Sequence, residues 1–184
     1  MFKKPARTVA LAALIAWANP VPLMAQSADG GSFPDRSNTF AGVPFGATLE
    51  EAQQKWQLEE IEGASVPDDP VRLYLREEES HVLGGIVARE VVYYFLHGRF
   101  YAVSFSTPDT RQTDILRQAL DLGYAAPPHA NGDTSLVWPG QLVSAQLQVN
   151  PATGEGRALL FSNELQTDYE KSLKESAART AAGM

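Results

Sequence analysis

The sequence predicts an α+β domain: an antiparallel sheet of about six strands with helices packed on one face. Three observations carry this. Runs of β-branched and aromatic residues recur around short turn-forming stretches, most clearly Val91 to Ser106 around His97-Gly98. Two segments, opening at Thr48 and Thr107, start with capping residues and place apolar residues at helical spacing. The order helix, strands, hairpin occurs twice before a final helix, which suggests an αβββ pseudo-repeat.

The first 25 residues stand apart from this domain. Lys3, Lys4 and Arg7 form a basic start, Val9 to Trp17 is an uncharged apolar run, and Pro20, Pro22 and the small Ala25 precede the polar Gln26-Ser27. That is the order of a secretory signal peptide cleaved after Ala25. A membrane anchor needs about 20 continuous apolar residues, and Asn19, Pro20 and Pro22 interrupt this run. Residues 26–40 are rich in Gly, Ser, Asp and Asn and read as a flexible tail. Residues 41–165 read as the domain and 166–184 as a C-terminal helix, frayed at its Ser/Ala/Arg-rich end.

Within the domain, Gly42-Val43-Pro44-Phe45-Gly46 is an opening turn. Thr48 with Glu51 three residues on is a capping box, and it starts a helix over 49–58 that buries Leu49, Ala52 and Trp56. Residues 59–70 read as a loop, and Val71 to Glu77 and Val82 to Arg89 as strands. In the hairpin that follows, Gly98 supplies a positive φ. A two-residue turn there pairs Phe95 with Phe100 and Tyr94 with Tyr101. It puts Val92, Tyr94, Leu96, Tyr101, Val103 and Phe105 on one face, and Val91, Tyr93, Phe95, Phe100, Ala102 and Ser104 on the other.

Thr107 caps the second helix, with Pro108 at its first position, where a missing N–H costs nothing. Ile115, Leu116, Ala119 and Leu122 form its apolar stripe, and Gly123 ends it as a C′ residue. Tyr124 to Asp133 reads as a loop. Thr134 to Trp138, Leu142 to Asn150 and Arg157 to Ser162 read as strands. Along the second of these, Val143, Ala145, Leu147 and Val149 alternate with polar residues, so one face is buried and one is wet. Asn163 with Gln166 resembles another capping box, and Leu165, Tyr169 and Leu173 keep the i, i+4 spacing of a docking helix.

The opening turn with its capped helix, the Tyr94 to Val103 hairpin, the Leu122-Gly123-Tyr124 helix end and Trp138 together resemble a diffuse group of small exported bacterial domains. In layout these are similar to the β-lactamase-inhibitor-protein-like fold, shared by a small lipoprotein of the outer-membrane assembly machine. The resemblance covers residues 42 to 162 and brings no catalytic residues with it. The acylated cysteine of the lipoprotein members is missing here.

Composition narrows the function classes. The first 25 residues hold three basic residues and no acid, so the remaining 159 carry 12 Lys+Arg against 22 Asp+Glu, a formal charge of −10. Such a surface repels nucleic acid and anionic lipid. The absence of cysteine excludes disulfides and thiolate-held zinc. With the export signal, it points to a soluble protein of the Gram-negative periplasm without a stable membrane anchor after cleavage.

No chemistry-bearing motif emerges. There is no G-x-S-x-G and no H-x-x-x-H. His81, His97 and His129 fall in or beside predicted turns. Asp68-Asp69 and Glu77-Glu78-Glu79 lack the regular spacing of a calcium loop. No catalytic residue, metal site or cofactor is therefore assigned. The aromatic excess of the hairpin leaves two readings open. Either both faces are covered, or Tyr93, Phe95 and Phe100 form an exposed partner-binding surface. The expected function is a non-catalytic protein-binding or adaptor domain, of inhibitor or immunity type in its sharper version, whose partner is another envelope or periplasmic protein. The alternative is a small periplasmic hydrolase acting on an envelope component.

Overall fold

The computed structural model describes residues 38–62, 69–76, 82–83, 85–124, 128–131 and 134–182. The expected signal peptide, residues 26–37 of the expected tail, His81, Asp68 and the Glu77-Glu78-Glu79 cluster lie outside the described residues. No described helix is long and apolar enough to cross a membrane.

The expected tail gives way to structure before residue 40. β1 (Thr39–Phe40) pairs antiparallel with β2 (Val43–Pro44), and the Phe40 ring meets Tyr93 edge-on at 6.1 Å. α1 (Leu49–Gln53) begins at the predicted capping box. Glu51 N–H donates to Thr48 Oγ1 at 3.2 Å, and Thr48 N–H donates to Glu51 Oε2 at 2.8 Å. The helix is five residues long, shorter than the span 49–58. Lys55 and Trp56 both donate to the Ala52 carbonyl, which closes the turn and drops the Trp56 ring into the core. β3 (Leu58–Glu60) follows at once, where a loop was expected, and pairs with β4 (Val71–Arg76).

The expected strand 82–89 is instead a small separate ribbon, β5 (Val82–Leu83) with β6 (Ile86–Val87). β7 (Arg89–Leu96) and β8 (Arg99–Ser106) form the predicted hairpin. Its central residues His97 and Gly98 have φ 48° and 75°, the sign a type I′ turn requires at both positions. α2 (Thr110–Gly123) is capped by Asp109, whose Oδ1 accepts from Gln112 N–H at 2.9 Å. Thr107, the expected cap, is buried instead. Its hydroxyl meets Thr113 Oγ1 at 2.6 Å and receives the Gly156 N–H at 2.9 Å. The buried stripe of α2 is Thr113, Leu116 and Leu120. Ala119 and Leu122 face solvent, Leu122 at 83% exposure. Gly123 is the last helical residue rather than a positive-φ cap.

β9 (His129–Ala130) lies in the expected loop. β10 (Ser135–Trp138), β11 (Val143–Val149) and β12 (Gly156–Ser162) follow near their predicted places, and α3 (Asn163–Ala182) closes the described chain. Ser162, not Asn163, caps α3 by accepting from Leu165 N–H at 3.4 Å. The Asn163 amide instead donates to the Gly140 and Gln141 carbonyls, tying α3 to the β10–β11 connection.

Eight of these strands form one antiparallel sheet in the order β3-β4-β7-β8-β12-β11-β10-β9. Each half is a helix followed by four sheet strands, and the last strand of each half pairs with that of the other at β8–β12. The repeating unit is thus αββββ, not αβββ. The predicted class is corrected with it. The chain is sheet-dominated, with eight strands rather than about six, and helices lie on both faces. Trp56 after α1, with Leu116 and Leu120 of α2, packs on the face bearing Tyr93, Phe95 and Phe100. α3 packs on the opposite face, where Tyr169 lies 5.9 Å from Tyr101. The buried residues Leu165, Leu96, Leu73 and Val71 sit outside the main core cluster. The two edge strands were missed because their sequences, LEE and HA, carry little strand preference. Tertiary pairing formed them.

Candidate ligand-binding face and cleft

The structure places Tyr93, Phe95 and Phe100 at 0% exposure. Phe100 stacks on Phe45 at 4.7 Å and meets Trp56 edge-on at 5.3 Å, and Trp56 also covers Tyr93 at 4.7 Å. The condition for a partner-binding surface there was an uncovered face. The α1 turn and the opening segment cover it, so these three residues are core and the proposed site at them is withdrawn.

The hairpin register explains why both of its faces looked apolar. Phe95 pairs with Phe100 as predicted, but Tyr94 pairs with Ala102, so Tyr101 is an extra residue in β8. This bulge reverses the alternation beyond it. Val103 and Phe105 join Tyr93 and Phe95 in the core, while Ala102 and Ser104 move to the other face. There the Tyr94 and Ser104 hydroxyls meet at 3.0 Å. What looked like two apolar faces is one aromatic core face and one mixed face.

On the mixed face the strand pairings stack residues into cross-strand rows. One row runs Val92, Ser104, Leu159, Gln146, Val137 across β7, β8, β12, β11 and β10. The next runs Arg89, Ser106, Arg157, Gln148, Ser135 across the same strands. Ser104, Leu159, Gln146, Val137, Ser106 and Arg157 are all half-buried. A diagonal bond from Gln146 Nε2 to Ser135 Oγ at 2.9 Å links the rows. α3 covers this face near Tyr101, whose hydroxyl donates to Gln166.

The second row opens into a cleft of about 530 Å³. Its wall includes Arg89, Ser106, Gln148, Arg157, Glu90 and Glu155. Glu90 sits at a second bulge, between Arg89 and Val92, with φ 50°, in the left-handed region where non-glycine residues are uncommon. The far wall is the β11–β12 connection, and a buried network fixes it. Thr113 Oγ1 donates to the Gly154 carbonyl at 2.8 Å, and Thr107 N–H donates to the Gly156 carbonyl at 2.8 Å. Burial pushes the Tyr94 phenol above its ordinary pKa, opposed by the Ser104 hydrogen bond and by the nearby Arg157 guanidinium. Burial likewise raises the Tyr101 phenol, reinforced by Tyr169 and Glu170.

The remaining sequence candidates do not assemble. His97 is exposed in the hairpin turn, and His129 is exposed on β9 at the far edge of the sheet. Asp69 accepts the Val71 N–H at 2.9 Å, a turn-stabilising role. Among the described residues, no three His, Asp or Glu side chains gather as a metal site. Sequence reasoning missed the polar rows because they exist only once the register of five strands is set. No family model, no curated protein and no solved structure matches the chain.

Proposed function

We propose that this is an exported, non-catalytic binding domain that recognises a partner in the cell envelope through the mixed face of its sheet and the cleft at its end. The observation that carries this reading is the two cross-strand rows, the first alternating apolar and polar groups and the second wholly polar, beside a cleft. Such a mixed surface suits recognition, with apolar groups for contact area and polar groups for orientation. Two of the cleft's hydroxyls are tied into structural bonds. Ser106 Oγ donates to the Arg89 carbonyl at 3.3 Å, and Thr107 bonds to Thr113. A nucleophile would instead be held by a base.

Export rests on the order of residues 1–25 and is tested by N-terminal sequencing. A mature chain starting at Gln26 supports it, and a chain starting at Met1 in the cytoplasm overturns it. Recognition is tested by capture from periplasmic extract, comparing the native chain with Leu159→Ser. The variant is expected to melt like the native protein and to lose the captured partner. A variant that captures the same partner equally well defeats the reading.

A further inference from the structure

The chain is acidic overall, yet two arginines line the cleft, matched in number by two glutamates. Arg89, Ser106 and Arg157 stand in register on three adjacent strands and face the same side. Neighbouring strands lie about 4.8 Å apart, so the two arginine Cα atoms are about 10 Å apart across Ser106. Two such long side chains can converge on one group above that serine. Among the described residues neither guanidinium has an ion-pair partner, and the described ion pairs use Arg72 and Arg99. Arg157 is moreover half-buried, where an uncompensated charge is costly.

Glu90 and Glu155 line the same cleft. They oppose a polyanion but leave room for one anionic group between the arginines. They can also accept N–H donors flanking that group. Arginine's planar fork favours a carboxylate held by two parallel bonds. Arg157 is the second residue of β12, so the β11–β12 connection, with Asn150 and Pro151, stands just beyond it. A segment lying along the strands meets that wall and stops there, so an anion it places between the arginines is its chain end.

We infer that the Arg89–Ser106–Arg157 row captures the C-terminal carboxylate of an extended peptide segment of the partner. This rests on the sheet-face reading above. The test is an amide-shift titration of the isotope-labelled whole chain with four probes. These are an acetylated tetra-alanine with a free carboxylate, the same peptide amidated, an amidated peptide with an internal Glu, and inorganic phosphate. The free acid is expected to shift the amides of Ser106, Gly156 and Arg157. The amidated peptide, the internal Glu and phosphate should each bind about tenfold more weakly, and added salt should weaken the complex.

Arg89→Gln and Arg157→Gln should each lose about tenfold in affinity for the free acid. Arg89 is exposed, so its variant leaves packing untouched and serves if Arg157→Gln unfolds. Equal binding of the amidated peptide, tighter binding of phosphate or of the internal Glu, or indifference to both substitutions overturns the assignment. The two readings separate in the capture assay. If Leu159→Ser abolishes capture while both arginine variants retain it, the sheet face stands and the carboxylate assignment falls. If none of the three alters capture, the sheet-face reading itself falls.

Discussion

Truncating Phe100 to alanine tests the assignment of the aromatic hairpin face to the core. The side chain has no solvent exposure. It touches four aromatic rings, with centroids at 4.7 Å to Phe45, 5.3 Å to Trp56, 5.6 Å to Phe95 and 6.2 Å to Tyr93. Phenylalanine-to-alanine changes in cores cost about 3–5 kcal/mol. Aromatic pairs add about 0.5–1.5 kcal/mol beyond area, and the near-parallel stack on Phe45 puts this site at the upper end, about 5 kcal/mol. Domains hold about 5–15 kcal/mol in total, so the variant stands near the limit of folding. With a urea slope of about 2 kcal/mol per molar, the midpoint should fall by about 2.5 M, read by far-ultraviolet circular dichroism. Phe100→Leu, costing about 1–2 kcal/mol, gives a measurable shift if the alanine variant does not fold. Tyr94→Phe is the control on the other face. It removes only the Ser104 hydrogen bond and should cost about 1 kcal/mol. A Phe100→Ala midpoint within about 0.5 M of native, or a larger loss for Tyr94→Phe, would refute the face assignment.

Three further outcomes are expected. Gly154→Ala places a Cβ 1.8 Å from Thr110 Oγ1 and 2.9 Å from Thr110 Cβ, at a φ of 72°. Thr110 cannot yield by rotating its hydroxyl alone, so thermal melts should show a loss of about 2–4 kcal/mol, and an unchanged melt refutes the tight docking of the β11–β12 connection on α2. The Thr48 hydrogen bonds lower the Glu51 pKa from 4.5. The stability this gives is present above 4.5 and is lost as pH falls through the lower folded-state value. Glu51→Gln, which removes the titrating group, should therefore flatten the acid limb of a stability–pH profile, and an unaltered limb counts against the capping box. Burial raises the folded-state Tyr101 pKa above 10.0. Its contribution is complete below pH 10 and falls away as pH rises further. Tyr101→Phe should make the alkaline decline shallower, and an equally steep decline would show that Tyr101 is not the group responsible.

Features set by local chemistry were legible in the sequence. The Thr48–Glu51 box, the His97-Gly98 turn and the alternation along Val143–Val149 each depend on residues a few positions apart. Features set by competition between distant groups were not. Thr107 and Asp109 could both cap α2, and Asp109 took the position because Thr107 is drawn into the buried bonds to Thr113 and Gly156. The Tyr101 bulge follows from fitting β8 between two partners, β7 and β12, and no residue type announces it. Its effect is large, since one extra residue exchanges the faces of everything beyond it. The cleft was illegible for the same reason, because Arg89 and Arg157 become neighbours only through Ser106 on the strand between them.

The sheet ends on one side in a strand of three residues and on the other in a strand of two. Edge strands this short offer an incoming chain few free backbone groups, which disfavours lateral growth on them, the common route to aggregation and to partners added as an extra strand. On the proposed reading, recognition by the sheet face runs through side chains. Main-chain pairing accepts almost any sequence, whereas a surface of serine, glutamine, leucine and arginine discriminates. Each side chain on that surface can also be exchanged by point substitution without disturbing the strand register, so the chemistry of the face can drift while the architecture stays fixed.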